Sequence, residues 1–322
     1  MIDIAVTCGD PAGIGPIAVV KALMKAGGAL RHDVPRFRAV LVGEELAWRK
    51  AGWRPGLAPL VPTRLGLKAW PAARPSRRSG VMAFSALRRA LDLVARGTVK
   101  ALVTAPLSKI ALSLAGLPHE GQTEYLASAA HCPKAQMILL APRQGLRCVT
   151  VTRHIPLSHV PGVLRAPAIA DAAGALFEAV RRLGDPRVRL GLCALNPHAG
   201  ESGLFGGEET GVLAEAAALA RRRGIPLSPP TPADAAWHAH RSGNLSGLVC
   251  LYHDQALIAL KAAAGFGVVN WTVGLPFVRT SPGHGTGFDL AASSQARARI
   301  DDAGTVEALR LAAWLCRKRY NF

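Results

Sequence analysis

Residues 248–261 read LVCLYHDQALIALK, and this stretch places polar side chains directly after a buried strand. Its first four residues are apolar, as expected for a strand covered on both faces of a sheet. The polar run YHDQ follows, and then an apolar run resumes. Burying an imidazole and a carboxylate costs several kcal/mol unless they are paired or bind a metal. The stretch therefore predicts that His253 and Asp254 lie at the surface or have a functional role.

The same pattern recurs outward from this stretch, because apolar strands alternate with helical segments along the chain. Strands that alternate with helices predict an α/β fold with largely parallel pairing, although AQMILLAP and LRCVTVTRH are expected to pair with each other. In such sheets, ligands bind beyond the carboxyl ends of the strands. The clearest predicted helices are SGVMAFSALRRALDLVARG (79–97), APAIADAAGALFEAVRRLG (166–184), ETGVLAEAAALARRRG and the closing VEALRLAAWLCRKRY.

Length and composition indicate a globular protein of about two domains or one large α/β unit, since the chain has 322 residues and half of them are apolar. No apolar run approaches the ~20 residues of a membrane span, and MIDIAVTCGD lacks the features of a signal peptide. We therefore expect a soluble, cytoplasmic protein with no membrane partner. The six cysteines form no CxxC pair and several lie in apolar runs, which favours buried free thiols.

The net charge of +18 raises the question of nucleic-acid binding. The arginines are dispersed, however, and aromatic residues make up only 5% of the chain, which is poor material for stacking on bases. We therefore expect no nucleic-acid partner. A positive field would still attract a small anionic substrate.

Three histidines share one context, because His154, His198 and His253 each follow an apolar strand. Parallel strands would bring their carboxyl ends to one edge of the sheet, where three imidazoles could form an open site for a divalent metal. Each histidine could instead be a hydrogen-bonded loop residue.

Two glycine-rich segments, residues 196–209 and 279–291, are candidates for ligand binding. Glycines allow backbone N–H groups to approach a phosphate or an adenosine closely, although each segment could also be a tight connection. The turn TCGDPAGIGP only half matches a dinucleotide-binding fingerprint.

Seven motifs follow one another along the chain: GDPAGIGP, TAPLSK, GQTEYLA, RHIPL, NPHAGESGLFGGEE, YHDQALIALK and GVVNWTVGLPFVRTSPGHGTGFDLA. In order and spacing they resemble the 4-hydroxythreonine-4-phosphate dehydrogenase family of vitamin B6 biosynthesis. The resemblance runs from about residue 4 to residue 292. It implies a fold like that of the isocitrate and isopropylmalate dehydrogenases, with two α/β/α domains around a cleft, in a homodimer. The expected domains are residues 1–120 with 280–322, and residues 121–279, which carry the metal ligands and dimer contacts.

The resemblance also implies a set of site residues, with the active site shared between the two subunits. One divalent metal (zinc, magnesium or cobalt) is expected on His154, His198 and His253, with one of the three supplied by the partner subunit. The residues that match the family's substrate contacts are Gln122, Thr123, Lys261, Asn270 and Arg279. NAD or NADP is expected at the loop that contains His284, Gly285, Thr286 and Asp289.

The implied reaction is oxidation and decarboxylation of 4-phosphohydroxy-L-threonine to 3-amino-2-oxopropyl phosphate, a precursor of pyridoxine 5′-phosphate. Lys261 would hold an anionic group of this small phosphorylated substrate. Asp254 would accept a proton or orient the neighbouring His253, with a purely structural hydrogen bond as the alternative.

Departures from the family pattern keep other functions open. Gln122 stands where the family has histidine, and Gly283 stands where it has aspartate. A neutral amide can donate to a phosphate but cannot carry charge. The alternatives are a paralogous dehydrogenase that acts on another phosphorylated hydroxy acid, and a non-catalytic member of the family.

Overall fold

The computed structural model describes residues 1–26, 35–66, 71–117, 121–293 and 295–317. The described strands are β1 Ile2–Thr7, β2 Phe37–Gly43, β3 Leu60–Pro62, β4 Ala101–Thr104, β5 Gln136–Ala141, β6 Leu146–Thr150, β7 Leu190–Cys193, β8 Leu227–Thr231, β9 Gly247–Cys250, β10 Val269–Val273 and β11 Val278–Pro282. The described helices are α1 Gly15–Ala26, α2 Glu45–Ala51, α3 Arg77–Ala95, α4 Lys109–Leu114, α5 Gln122–Ala129, α6 Val160–Val163, α7 Ala166–Arg182, α8 Ala214–Arg222, α9 Ala233–Arg241, α10 His253–Ala264, α11 Phe288–Ala291, α12 Ala296–Arg299 and α13 Ala303–Arg317.

The chain divides into two compact units, the first formed by Met1–Ala135 with Phe266–Phe322 and the second by Gln136–Gly265. The boundaries expected from the sequence assign Gln122, Asn270 and Arg279 to the second domain, whereas all three belong to the first unit. For Asn270 on β10 and Arg279 on β11 the reason is strand pairing, because β10 pairs with β11 and β11 pairs with β4 of the first unit.

The sheet of the first unit has the strand order β3-β2-β1-β4-β11-β10. Pairing is parallel from β3 to β11, and β10 runs antiparallel to β11. The central strands are apolar on both faces, and Ile4 and Leu102 have no exposed surface. Helix α3 packs beside them and begins at a capping box, in which Ser76 and Ser79 satisfy each other's backbone N–H groups.

The sheet of the second unit has the order β5-β6-β9-β7-β8, with β5 antiparallel to β6 and the other pairs parallel. The predicted α/β fold is confirmed, as is the pairing of AQMILLAP with LRCVTVTRH. The predicted C-terminal helix is α13, and residues 318–320 of that prediction lie outside the described residues. None of the helices in the described ranges is long and apolar enough to cross a membrane.

All six cysteines are free thiols, as predicted, and four of them are buried. Cys148, Cys193 and Cys250 lie inside the second sheet, where the Cys193 and Cys250 sulfurs are 3.9 Å apart. Burial raises the pKa of Cys8 to about 12 and raises the pKa of Cys250 well above its usual value. These thiols are therefore packing groups.

Candidate active site

Two of the three predicted histidine ligands come together in the second unit. Strands β6 and β9 are parallel neighbours, so the segments that follow them leave the same edge of the sheet. His154 follows β6, and His253 opens α10 directly after β9. Their ring centroids are 5.6 Å apart. The sequence predicted that histidines at the ends of parallel strands lie close together, and the structure shows this for His154 and His253.

Asp254 orients the ring of His253. The Asp254 Oδ1 atom lies 2.6 Å from His253 Nδ1, and both side chains are partly open to solvent. An ionised carboxylate only accepts hydrogen bonds, so in a neutral imidazole Nδ1 carries the proton and Nε2 keeps the lone pair. Carboxylate-supported imidazoles of this kind are typical metal ligands.

His198 lies on an unusual turn after β7. Residues 198–202 all have positive φ, from 44° to 78°, although only one of the five is a glycine. His198 is exposed on this turn. Consecutive left-handed residues are disfavoured for L-amino acids, so this conformation needs support from its surroundings.

Gln255 ties together the two strand ends that lead to His198 and His253. Its Nε2 donates to the Ala194 carbonyl after β7, at 2.7 Å, and its Oε1 accepts the N–H of Leu251 after β9, at 2.7 Å. The sequence reasoning missed this role, although the place of Gln255 in the same polar run as His253 was the available signal.

The donor set fits a divalent metal, since neutral imidazole nitrogens suit zinc and cobalt in particular. Within one copy of the chain, the described residues contain no group of three His, Cys, Asp or Glu side chains that could hold a metal ion. The structure thus brings together His154 and His253 and does not add His198 to them as a third ligand.

The first unit contains a buried guanidinium. Arg279 on β11 is 3% exposed. Its Nε and Nη2 donate to the Thr104 hydroxyl at 3.1 and 2.7 Å, and its Nη1 donates to the hydroxyls of Thr123 and Thr272 at 3.2 and 2.9 Å. Burial lowers the pKa of Arg279 to about 10, and the charge of Glu124 opposes this shift. Neutral hydroxyls orient the cation without cancelling its charge, so the arrangement favours an anionic ligand.

The other predicted substrate contacts divide between the units. Gln122 opens α5 in the first unit, and its Nε2 donates to the Ala105 carbonyl at 3.0 Å. Asn270 lies on β10, and its Oδ1 is buried without a hydrogen-bond donor in the described part of the chain. Lys261 is an exposed residue of α10 in the second unit.

The predicted cofactor loop packs against the turn GDPAGIGP of the first unit. The N–H of Ile14 donates to the Thr286 carbonyl at 2.8 Å. A Cβ atom at Gly13 would lie 2.4 Å from that carbonyl oxygen, so glycine is required for this close approach. His284, Gly285 and the exposed Asp289 lie on the same loop or on the short helix α11 that follows it.

Asp10 of the same turn is a buried carboxyl group with an altered pKa. Its Oδ1 accepts the N–H of Ala12 at 3.0 Å, and its Oδ2 lies 3.2 Å from the Ser79 hydroxyl, which also lies 3.1 Å from the Ser76 carbonyl. Burial raises the pKa of Asp10 to about 6, although both hydrogen bonds lower it. The Ser79 hydroxyl donates to the Asp10 carboxylate and favours its ionised form, whereas burial favours the neutral form and has the larger effect.

Replacing Asp10 with Asn should remove one source of pH-dependent stability. The raised pKa makes the carboxyl stabilising below its unfolded pKa of 3.8, and this contribution is lost as the pH rises through about 6. The loss amounts to about 3 kcal/mol in the free energy of unfolding. Denaturant unfolding from pH 4 to 8 should show this decline in the parent chain and not in D10N. The exposed Asp92→Asn is the control, and an unchanged decline in D10N would contradict the assignment.

Comparison with known proteins identifies the family. The sequence model of the family described as "Pyridoxal phosphate biosynthetic protein PdxA" matches residues 48–312. The chain belongs to the PdxA family. Among PdxA relatives, the D-threonate 4-phosphate dehydrogenase of Salmonella typhimurium is 35% identical, over 96% of this chain and 98% of the relative. The 4-hydroxythreonine-4-phosphate dehydrogenase of Erythrobacter litoralis is 38% identical, over 89% and 90%.

The solved structures agree with this assignment. The crystal structure of 4-hydroxythreonine-4-phosphate dehydrogenase from Klebsiella pneumoniae has a TM-score of 0.82 and 34% identity, covering 98% of this chain and 100% of that one. The resemblance predicted from the motifs is therefore confirmed, and the chain is a dehydrogenase of the PdxA family. Relatives with two different substrates in their names match it about equally well.

Proposed function

We propose that the chain uses a divalent metal and NAD(P) to oxidise and decarboxylate 4-phosphohydroxy-L-threonine to 3-amino-2-oxopropyl phosphate, in pyridoxine 5′-phosphate biosynthesis. The observation that carries the proposal is the buried Arg279 guanidinium, whose hydrogen-bond partners are neutral threonine hydroxyls. A phosphorylated hydroxy acid supplies the anionic group that such a cation favours.

In this proposal, each residue has a distinct task. A divalent metal held by His154, His198 and His253 would supply Lewis-acid chemistry for oxidation of the substrate's hydroxyl. His253 is held for ligation by its hydrogen bond to Asp254, which supports the orienting role for Asp254 over that of a base. Arg279 and Lys261 bind anionic groups, and the Asn270 Oδ1 accepts a hydrogen bond from a donor on the substrate. Oxidation then gives a β-keto acid, which loses CO₂.

The cofactor is assigned to the loop with His284, Gly285, Thr286 and Asp289. Its support is the close approach of the GDPAGIGP turn, which fixes the loop through the Ile14 hydrogen bond to Thr286. NAD(P)⁺ would accept the hydride there.

A homodimer with a shared active site is supported by apolar side chains on the second unit. Ile155 and Leu157 follow His154 directly and are 39% and 64% exposed, and Leu204, soon after His198, is 74% exposed. Exposed large apolar side chains next to functional segments are typical of interaction surfaces. In such a dimer, a histidine of the partner subunit would join the pair formed by His154 and His253.

A second substrate is favoured by a specific finding. A D-threonate 4-phosphate dehydrogenase is among the relatives that match nearly the whole chain. D-threonate 4-phosphate carries a hydroxyl where 4-phosphohydroxy-L-threonine carries an amino group. Gln122 stands where the family has histidine, and its side chain donates to the Ala105 carbonyl. This difference from the family pattern is the one we connect with the choice between the two substrates.

The deciding experiment is NAD(P)H formation with each of the two substrates, using protein stripped of metal and then restored with zinc, cobalt or magnesium. Metal-dependent turnover of 4-phosphohydroxy-L-threonine in preference to D-threonate 4-phosphate would support the proposal. The reverse preference would assign the second substrate. Turnover of neither substrate by metal-restored protein would contradict both and favour a non-catalytic member.

A further inference from the structure

The turn that carries His198 needs an external support. Residues 198–202 form an uninterrupted left-handed segment, with φ of 51°, 53°, 78°, 44° and 58°. His198, Glu201 and Ser202 each have a side chain that disfavours this conformation. Something outside the segment must therefore hold it in place.

Glu209 provides that support. It is 5% exposed, and its Oε1 accepts the N–H groups of both Leu195 and Asn196 at 2.8 Å. Its Oε2 accepts from Asn196 Nδ2 at 3.1 Å. One carboxylate thus satisfies three donors on the segment that leads into the turn. Charge-assisted hydrogen bonds of this kind are stronger than neutral ones.

The turn also folds directly over this carboxylate. A Cβ atom at Gly200 would lie 2.7 Å from Glu209 Oε2, and Gly200 has φ of 78°. The missing side chain at Gly200 therefore allows the backbone of the turn to lie against Glu209. The carboxylate is enclosed by backbone on two sides of His198.

We propose that Glu209 is a positioning residue that holds the left-handed turn, and through it the imidazole of His198, in the geometry for metal binding. This inference rests on the proposed function, in which His198 is a metal ligand. Glu209 touches neither metal nor substrate. Its effect is to make His198 available in one orientation before a metal arrives, which reduces the ordering required on binding.

Glu209→Gln tests the role with little change in shape. In the parent chain both carboxylate oxygens of Glu209 accept hydrogen bonds. The amide of Gln has only one acceptor oxygen, so its NH₂ group would face a donor (a backbone N–H or the Asn196 NH₂ group) instead of accepting from it. Two matched variants provide controls. Glu215→Gln removes the same charge from an exposed site on α8. Glu208→Gln alters a residue whose Oε2 accepts from Asn196 Nδ2, at 2.9 Å.

The measurements are Co²⁺ affinity with the visible spectrum of bound Co²⁺, and amide hydrogen exchange of residues 195–202 without metal. We expect E209Q to bind Co²⁺ between about 10- and 100-fold more weakly, with an altered spectrum and faster exchange at Leu195 and Asn196. E215Q should match the parent chain, and E208Q should lie between them. A Glu209→Asp variant should recover part of the affinity.

Parent-like Co²⁺ affinity and spectrum in E209Q would overturn the proposal, as would unchanged exchange of these amides. Failure of the proposed function gives a different result, since the parent chain would then not bind Co²⁺, or H198A would bind it normally. In that case the exchange rates decide alone whether Glu209 holds the turn. Global unfolding of E209Q would be recognised by denaturant titration, and E209D then provides the test.

Discussion

Arg279→Met should lower kcat/KM by about 10³-fold or more, equivalent to about 4 kcal/mol, without lowering the free energy of unfolding. The guanidinium is 3% exposed and its partners are the hydroxyls of Thr104, Thr123 and Thr272. Those hydroxyls can turn to other partners, and a methionine of similar volume avoids the desolvation of a charge. The substrate's anionic group, in contrast, would lose its charged anchor.

Steady-state kinetics and denaturant unfolding check both parts of this expectation. Arg38→Met is the control, because Arg38 forms an exposed ion pair with Asp3 and its loss should leave kcat/KM unchanged. Arg279→Lys should recover little activity, since an ammonium group cannot reproduce the fixed, planar arrangement of N–H donors on a guanidinium. Near-normal kcat/KM in R279M, or a large loss of stability with normal activity, would show that Arg279 is a structural residue.

His253→Ala should abolish detectable turnover and weaken metal binding. The imidazole lies 5.6 Å from that of His154 between ring centroids and is oriented by Asp254 at 2.6 Å. Loss of a metal that supplies several kcal/mol of transition-state stabilisation predicts a decrease of at least about 10³-fold in kcat. The measurements are turnover at saturating metal and calorimetric titration with Zn²⁺ or Co²⁺.

The matched variants of His253 separate ligation from other effects. His238→Ala removes an exposed histidine of α9 and should leave both activity and metal affinity unchanged. Asp254→Asn keeps the imidazole and should cause a smaller loss of metal affinity, of about 10- to 100-fold. Full activity in H253A would refute the assignment of His253 as a ligand.

The sequence predicted that His253 lies beside His154. This prediction needs only one rule, that the carboxyl ends of neighbouring parallel strands lie at the same edge of the sheet. The same rule does not describe Arg279. Its partners Thr104 and Thr123 lie far from it in the chain. The pairing of β11 with β4 brings Thr104 near, and Thr123 comes from helix α5. Glu209 was also missed, since a buried carboxylate that accepts backbone N–H groups has no pattern of its own in the sequence. The domain boundaries differ for a related reason, as β10 and β11 return to the first sheet through pairing over a long separation.

The buried thiols have a practical consequence for anyone who labels this protein. Cys8, Cys148, Cys193 and Cys250 are enclosed, whereas Cys132 and Cys316 are partly accessible. Burial raises the pKa of Cys316 to about 11, which leaves little of its reactive thiolate at neutral pH. A maleimide dye should therefore modify Cys132 first in the native chain, and the four enclosed sulfurs should react only as the sheets open. Cys132 thus offers a single attachment point for a fluorophore without prior mutagenesis. The rate at which the buried thiols react would report the rate of unfolding.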